Sequence, residues 1–394
     1  MSASQRIPVA AGILEWARRT AGFDKTLAAK RLAVKEERLT AWEQGELQPT
    51  INQLRNMAKL YKRPLAVLLL PAPPKDFDAL RDFRRTGETA DLSWSPALHA
   101  EYKRALSQRE VVIELSELSP SSVISSRDDF NLSLDMNPED AGRTLRELLG
   151  MDSWKGGTVS NPRNALRAAV DAVESHGILV MQTREVTIQE MRGFSISAWP
   201  YPVIILNGSD WPRPKLFTLL HEMCHLALNA GGLCDLHESP AQKRSEDRVE
   251  HYCNKVAASA LMPAGRIMGD PVIRTTKHWT LEGLLGVSQR FGASSEALLL
   301  RLITLGLADW ETYGRLKPQL DAHYTRLRKE EKEKQKLTQG GPPYFLVKAR
   351  NLGRSYVESV LDAYQSRAIS SYDVVDYLDV KYDQLPKLQE AVAR

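Results

Sequence analysis

The order of apolar and polar positions divides the chain into five stretches. Residues 1–72 follow a helical period and stop at the proline cluster Pro71-Ala72-Pro73-Pro74, where backbone donors are lost. Residues 73–160 mix short amphipathic helices with polar loops, such as residues 119–131. Residues 161–310 open with β-rich apolar runs at 177–181, 191–197 and 202–206, then turn helical. Residues 311–342 form a charged linker. Both signs interleave over 326–336, the pattern of a solvated helix, and Gly340-Gly341-Pro342-Pro343 breaks it. Residues 343–394 form a small helical C-terminal region. The pattern predicts an α+β fold, mainly α, with the strands gathered before one strongly apolar helix.

Composition changes this picture little. The 394 residues are 43% hydrophobic and 26% charged, which excludes wholesale disorder. Three cysteines cannot make a paired framework, so a reduced, cytoplasmic setting is expected. Residues 1–14 lack a long apolar run, so no signal peptide is expected. The strongest apolar run, 65–70, is far too short to span a bilayer and is expected to be a buried helix end; no membrane partner follows. Net charge is +4, but residues 1–70 hold 12 Lys/Arg against 6 Asp/Glu. That local excess permits contact with phosphates without requiring it.

The distribution of soft ligands is more telling. All three cysteines (Cys224, Cys234, Cys253) and four of the eight histidines (His221, His225, His237, His251) fall between 221 and 253. Within the apolar helix predicted over 215–229, with Pro214 in its first turn, stands His221-Glu222-x-x-His225. Four residues make about one helical turn, so both imidazoles leave one face and can share a metal ion. Glu222, beside the first ligand, is placed to act as general base. The apolar flanks would bury the pair unless something satisfied it.

A second helix is expected from Ser239-Pro240 to Leu261, bounded by Pro263. Glu250 and Asn254 are four apart on it. Glu250 would complete a His-His-Glu set, and Asn254 would orient a ligating imidazole. Glu246, Asp247 and His251 are rivals for the third ligand. Ala257, Ala258 and Ala260 would let this helix pack closely on the first. Cys224 and Cys253 read as core residues, and Cys234 as a loop residue. A thiolate zinc site from the three lacks a C-x-x-C spacing. His237 and His251 read as surface residues or neighbours of the ligands, either of which could stabilise an oxyanion. A strand ending at Asn207, just before the first helix, is the expected edge along which an extended peptide pairs.

Phe217-Thr218-Leu219-x-His221-Glu222-x-x-His225, followed by Glu250-x-x-Cys253-Asn254-x-Val256-Ala257-Ala258-x-x-Leu261-Met262-Pro263, resembles the ImmA/IrrE family of bacterial metallopeptidases. The resemblance covers roughly residues 165–310. A later stretch, 284–307, with Phe291-Gly292-Ala293-Ser294 and Arg301-Leu302, is similar to the family's helices after the core. The resemblance implies a minimal zincin core, one catalytic zinc on His221, His225 and Glu250, and cleavage of a transcriptional repressor under stress or mobile-element control.

Residues 1–72 resemble the XRE-type helix-turn-helix fused to many such peptidases. Residues 24–34 correspond to its first helix and turn, 35–42 to its recognition helix, and Trp42-Glu43-Gln44-Gly45 to its W-E-x-G. Lys25, Lys35, Arg38 and Thr40 are the implied DNA contacts. Four positions depart: Lys25 stands where Gln is common, Ala33 where the turn has Gly, and Glu36-Glu37 start the recognition helix, where carboxylates repel DNA. The expected activity is thus a zinc-dependent endopeptidase acting on a protein partner. The alternative is a DNA-binding regulator, or a toxin–antitoxin or defence component, whose zincin domain senses or docks.

Overall fold

A computed structural model of the chain describes residues 6–73, 95–118, 130, 132–154, 161–228, 240–337 and 343–393, with the helical backbone alone at 240–247, 331–332 and 334–337. The described residues fall into two compact units, one ending at Arg104 and one starting at Ala105. Among them no helix is long and apolar enough to cross a membrane.

Side-chain caps set the helix ends of the first unit. The Asp24 carboxylate accepts from the Leu27 N–H at 2.6 Å and starts α2 (Lys25–Leu32). Thr50 and Gln53 form a reciprocal capping box at α4 (Ile51–Leu60). Between them α3 (Glu36–Glu43) follows a short turn, and α1 (Ile13–Arg19) precedes both. Ile13, Leu14, Leu39, Trp42, Leu54 and Met57 close the core between these helices. The run at 65–70 is a 3-10 turn (Leu65–Leu69) rather than a wholly buried helix end. Leu68 is buried, whereas Leu69 and Leu70 are exposed, because three residues per turn bring one side chain in three to the core.

Ala33 ends α2 in the left-handed region, at φ 54° and ψ 44°. A Cβ there is strained. Ala33→Gly is therefore expected to stabilise the first unit by about 0.5–1 kcal/mol. Thermal unfolding checks this, and an unchanged or lower midpoint would show that the turn carries no strain.

The second unit is built on a three-stranded sheet of order β1-β3-β2: β1 (Leu179–Thr183), β2 (Gly193–Ile196) and β3 (Val203–Asn207). The pattern had placed these strands within two residues. β3 pairs parallel with β1 (Met181 opposite Ile205) and antiparallel with β2 (Phe194 opposite Ile205). The edge-strand expectation for the strand ending at Asn207 is therefore corrected. Both sides of β3 are occupied by ladder bonds, and β1 and β2 are the edges. Asn207, fully buried, donates to the Val186 and Met191 carbonyls at 2.9 and 2.8 Å and so pins the β1–β2 connection.

Four helices place the chemistry against this sheet. These are α6 (Pro138–Leu148), α7 (Pro162–Ser175), α8 (Pro212–Ala227) and α9 (Pro240–Leu261); α5 (Pro96–Leu118) carries the boundary between the units. α8 packs on β2, β3, α7 and α9, and α9 also crosses α6. The small residues Ala257 and Ala260 allow the α9 contacts, and Gly142 is needed where α6 crosses. A Cβ on it would come within 2.6 Å of Ser259 Cβ. Five helices follow: α10 (Ala264–Gly269), α11 (Pro271–Thr275), α12 (Leu281–Arg290), α13 (Ser295–Thr304) and α14 (Trp310–Leu337). α14 contains the charge-rich run, whose described side chains are largely exposed, with Arg326 and Glu330 paired at i,i+4.

Residues 343–393 do not stand apart. Their helices α15 (Tyr344–Leu352) and α16 (Arg354–Gln365) pack on β1, and α17 (Ser371–Leu378) and α18 (Leu385–Ala393) complete the group. Gly353 (φ +91°) makes the contact possible, since a Cβ on it would lie 2.9 Å from the Val180 carbonyl oxygen. Glu174 accepts from the Ser355 N–H at 3.2 Å.

Candidate metal centre and active site

Trp211 stands at the N-cap of α8 and Pro212 at its first position, where a missing N–H costs little. Nearly every later residue of α8 is buried. Its apolar side chains (Leu216, Leu219, Leu220, Met223) lie in the core, and His225 is fully buried with them. His221 and His225, one turn apart, approach with their Nε2 atoms 2.9 Å from each other. α9 brings Glu250 to the same point: Oε2 lies 3.2 Å from His221 Nε2, and Oε1 lies 3.1 Å from His225 Nε2. Among the described residues these three side chains form a group able to hold a metal ion, with donor atoms all within 4.8 Å of one another.

The chemistry of the donor set fits a divalent cation. The buried Glu250 Oε1 faces only the His225 ring nitrogen, a costly place for a carboxylate oxygen unless positive charge lies opposite. Burial pulls the pKa of both histidines down, yet their partners push it further up. For His221 these are chiefly Glu250 and Glu222, and its pKa ends above the usual value. For His225 they are Cys253 and Glu250, and its pKa rises to about 9. Burial raises that of Glu250, but the two imidazoles hold it well below the carboxylate range. The pocket therefore favours positive charge at one point. Two nitrogens and one carboxylate suit zinc and leave a position open. The group meets solvent on the side of Glu250 and His221, whose side chains are 27% and 12% exposed, against 0% for His225.

Asn254, one turn beyond Glu250, interacts with the His221 ring and raises its pKa. Cys253 does more than pack. It is fully buried and hydrogen-bonds His225 and Cys224. The Cys224 contact and burial push its thiol upward, which disfavours the thiolate that a metal needs. Cys224 is likewise buried and free. His251 is exposed and outside the ligand group. Cys234 and His237 and the side chains of Glu246 and Asp247 lie outside the described residues, as does Ser239 at the expected start of α9.

Glu222 faces the sheet. Ser195 Oγ on β2 donates to Glu222 Oε2 at 2.8 Å, and both residues are buried. Gly193, on the same face of β2, makes room for the Thr218 side chain beside the carboxylate. A Cβ on it would lie 2.5 Å from Thr218 Cγ2 and 3.6 Å from Glu222 Oε1. One oxygen of Glu222 is thus held and the other left beside a glycine. Sequence reasoning missed Ser195 and Gly193. Their alternation along a strand was the available signal, but nothing local ties that strand to α8.

A second missed group fixes α9. Glu139 on α6 accepts from Ser259 Oγ at 2.9 Å and from the Ala264 N–H at 3.3 Å, and pairs with Arg301. Arg301 in turn donates to the Met262 carbonyl at 3.0 Å. These contacts hold the C-terminal end of the helix that carries Glu250.

Lys25 and Thr40 are half-buried, Lys35 and Arg38 are exposed, and Arg38 lies over the Trp42 ring at 5.5 Å.

Residues 173–302 match the model of the Peptidase_M78 family, described as the IrrE N-terminal-like domain. The chain is similar to the radiation response metalloprotease IrrE of Deinococcus radiodurans, 33% identical over 98 residues, which is 24% of this chain and 25% of that protein. It is 41% identical to the protein of the same name from Deinococcus deserti over 64 residues, 16% of this chain and 23% of that protein. The chain thus spans about a quarter of the length of these curated relatives.

Proposed function

We propose, from the premise that residues 173–302 form a peptidase domain of the ImmA/IrrE family, that this protein is a zinc-dependent endopeptidase. One zinc ion would be held by His221, His225 and Glu250. The carrying observation is the convergence of those three donors, with Glu222 near enough to act on both imidazoles and held at one oxygen by Ser195. Both relatives are named metalloproteases, and that activity is carried to this chain here.

When bound, zinc supplies Lewis acidity toward a peptide carbonyl and toward water. The chain's own residues do the rest. Ser195 orients Glu222 through Oε2, and Glu222 Oε1 takes a proton from the attacking water and gives it to the leaving amine. Asn254 and Cys253 fix the two imidazoles. The edge strand β2 lies beside this carboxylate, so an extended substrate segment pairs along it. The substrate is a protein partner, a transcriptional repressor by the resemblance, and the setting is cytoplasmic. Residues 1–72 act as an XRE-like module that locates the peptidase on DNA or on that partner.

The test measures cleavage of candidate repressors by zinc-loaded and chelator-stripped protein. Activity that is lost on stripping and restored by zinc is expected. Glu250→Ala should lose bound zinc with its fold intact. Unchanged zinc stoichiometry and affinity would move the third ligand elsewhere.

A second reading rests on the exposed Lys35 and Arg38 on the surface of α3. In it the protein is a DNA-binding regulator with a sensing peptidase domain. Tight operator binding with no cleavage under any condition would favour it. Glu36 and Glu37, exposed at the start of the same helix, weigh against it.

A further inference from the structure

Away from the metal centre, four cations at one end of the sheet lie near enough to feel one another's charge. Lys215 is in the first turn of α8, Arg163 in the first turn of α7, Arg184 directly after β1, and Arg350 near the end of α15. Lys215 is 6% exposed, and its Nζ donates to the neutral Gln182 Oε1 at 3.3 Å. Burial first, then repulsion from Arg350, Arg184 and Arg163, pulls its pKa to about 8, with Asp210 opposing. Burial, Arg184 and Arg163 likewise lower that of Arg350. Asp210 is already 3.2 Å from Arg192. Among the described residues, none of the four cations has a carboxylate at ion-pair distance.

The arrangement is built rather than incidental. The Gly208 N–H donates to the Thr183 carbonyl at 2.6 Å, tying the ends of β1 and β3 together. Arg184 lies across that glycine, where a Cβ would come within 3.1 Å of its Cγ. A desolvated lysine among three guanidinium groups costs stability unless an anion neutralises them. Packing alone would be better served by methionine or leucine at position 215.

We propose that Lys215, Arg163, Arg184 and Arg350 bind a multivalent phosphate, the chemistry shared by inorganic pyrophosphate and the diphosphate of a nucleotide. The site lies at the carboxyl ends of the parallel pair β1 and β3, where open α/β sheets place ligands. The first turns of α7 and α8 add partial positive charge. Three guanidinium forks suit phosphate oxygens, and the lysine provides a point charge at the floor. Four cations exceed what one carboxylate can neutralise. Lys215 precedes His221 by six residues, about 9 Å of helical rise, so this site is separate from the metal centre.

Calorimetry and thermal unfolding of the full zinc-loaded chain with sodium pyrophosphate, at constant ionic strength, test the proposal. Saturable binding and a raised midpoint are expected in wild type. Lys215→Met, which removes one charge-assisted contact, and the double variant Arg184→Ala/Arg350→Ala, which removes two, should each weaken binding roughly ten-fold or more. Without ligand, Lys215→Met should melt no lower than wild type, since it removes a buried charge. The double variant changes exposed side chains and keeps the test open should Lys215→Met misfold. The metal centre is common to all these proteins, so zinc chelation by pyrophosphate cancels in the comparison. Titrating a nucleoside diphosphate separates the two sources: tighter binding than pyrophosphate assigns the nucleotide, equal binding the inorganic anion. No saturable binding to wild type, or equal affinity in wild type and both variants, overturns the site.

Discussion

Glu222→Gln is expected to lower kcat/KM for the protein substrate by roughly 10²–10⁴-fold, the range for loss of a positioned general base. The amide keeps the shape of the carboxylate and can still meet Ser195 Oγ, 2.8 Å from Oε2 in the parent protein. It cannot take a proton. Zinc stoichiometry should stay at the wild-type value, because Glu222 is not among the three converging donors. The variant should therefore hold substrate without cutting it, and recover the partner in a pull-down. Ser195→Ala should give a smaller loss, with the general base present but unfixed. The measurement is cleavage rate and zinc content on the same preparations. Full cleavage by the zinc-replete Glu222→Gln protein would remove Glu222 from the proton-transfer role. Loss of zinc would instead make it part of the metal centre.

In the first unit, Glu43→Ala should destabilise the fold by about 3–5 kcal/mol, the cost of leaving a buried charge without its partner. Arg18 Nε donates to Glu43 Oε1 at 2.6 Å, and its Nη2 donates to Oε2 at 3.1 Å. Both side chains are almost wholly buried, at 6% and 3% exposure. The Arg18 Nη1 also donates to the Phe23 carbonyl at 2.8 Å, so the guanidinium joins α1, the α1–α2 connection and α3. Small domains hold only about 5–15 kcal/mol in total, so the loss would leave the unit near its unfolding threshold. Replacing both partners, as Arg18→Met with Glu43→Leu, should recover most of it, since a packed apolar pair avoids the desolvation cost. Denaturant unfolding of the single and double variants separates the two effects. A single variant within about 0.5 kcal/mol of wild type, the range of ordinary surface substitutions, would show that the pair is not structural.

Glu43 illustrates how much of this protein was legible in advance. As part of Trp42-Glu43-Gln44-Gly45 it marked a family pattern, but the pattern gave no reason for the carboxylate. The reason is Arg18, 25 residues earlier and on another helix. The metal centre divides in the same way. His221 and His225 were readable because helical geometry fixes residues four apart on one face. Glu250 was readable as the favoured member of a short list of rivals. The count of cysteines and histidines pointed to the stretch that holds the candidate group, in which Cys253 neighbours His225.

Ser195, Gly193, Glu139 and Arg301 stayed out of view for one physical reason. Each acts through a partner 27 or more residues distant, or through a close approach of backbones, and neither leaves a periodic trace. The edge-strand expectation failed similarly. Apolar content identified three strands but could not say which two flank the third, because order in a sheet is a property of pairing. Residues 343–394 read as a separate helical region because Gly-Gly-Pro-Pro breaks the helical period. Their packing on β1 depends on Gly353 meeting the Val180 carbonyl, a contact between residues 173 positions apart. By itself, then, the sequence determined what local geometry determines: helix starts and stops, the alternation of strands, and two imidazoles on one face. Tertiary structure alone decided which hydroxyl holds the Glu222 carboxylate, which strands are the edges, and which cations lie near Lys215. Those depend on distance through space, and spacing along the chain does not encode it.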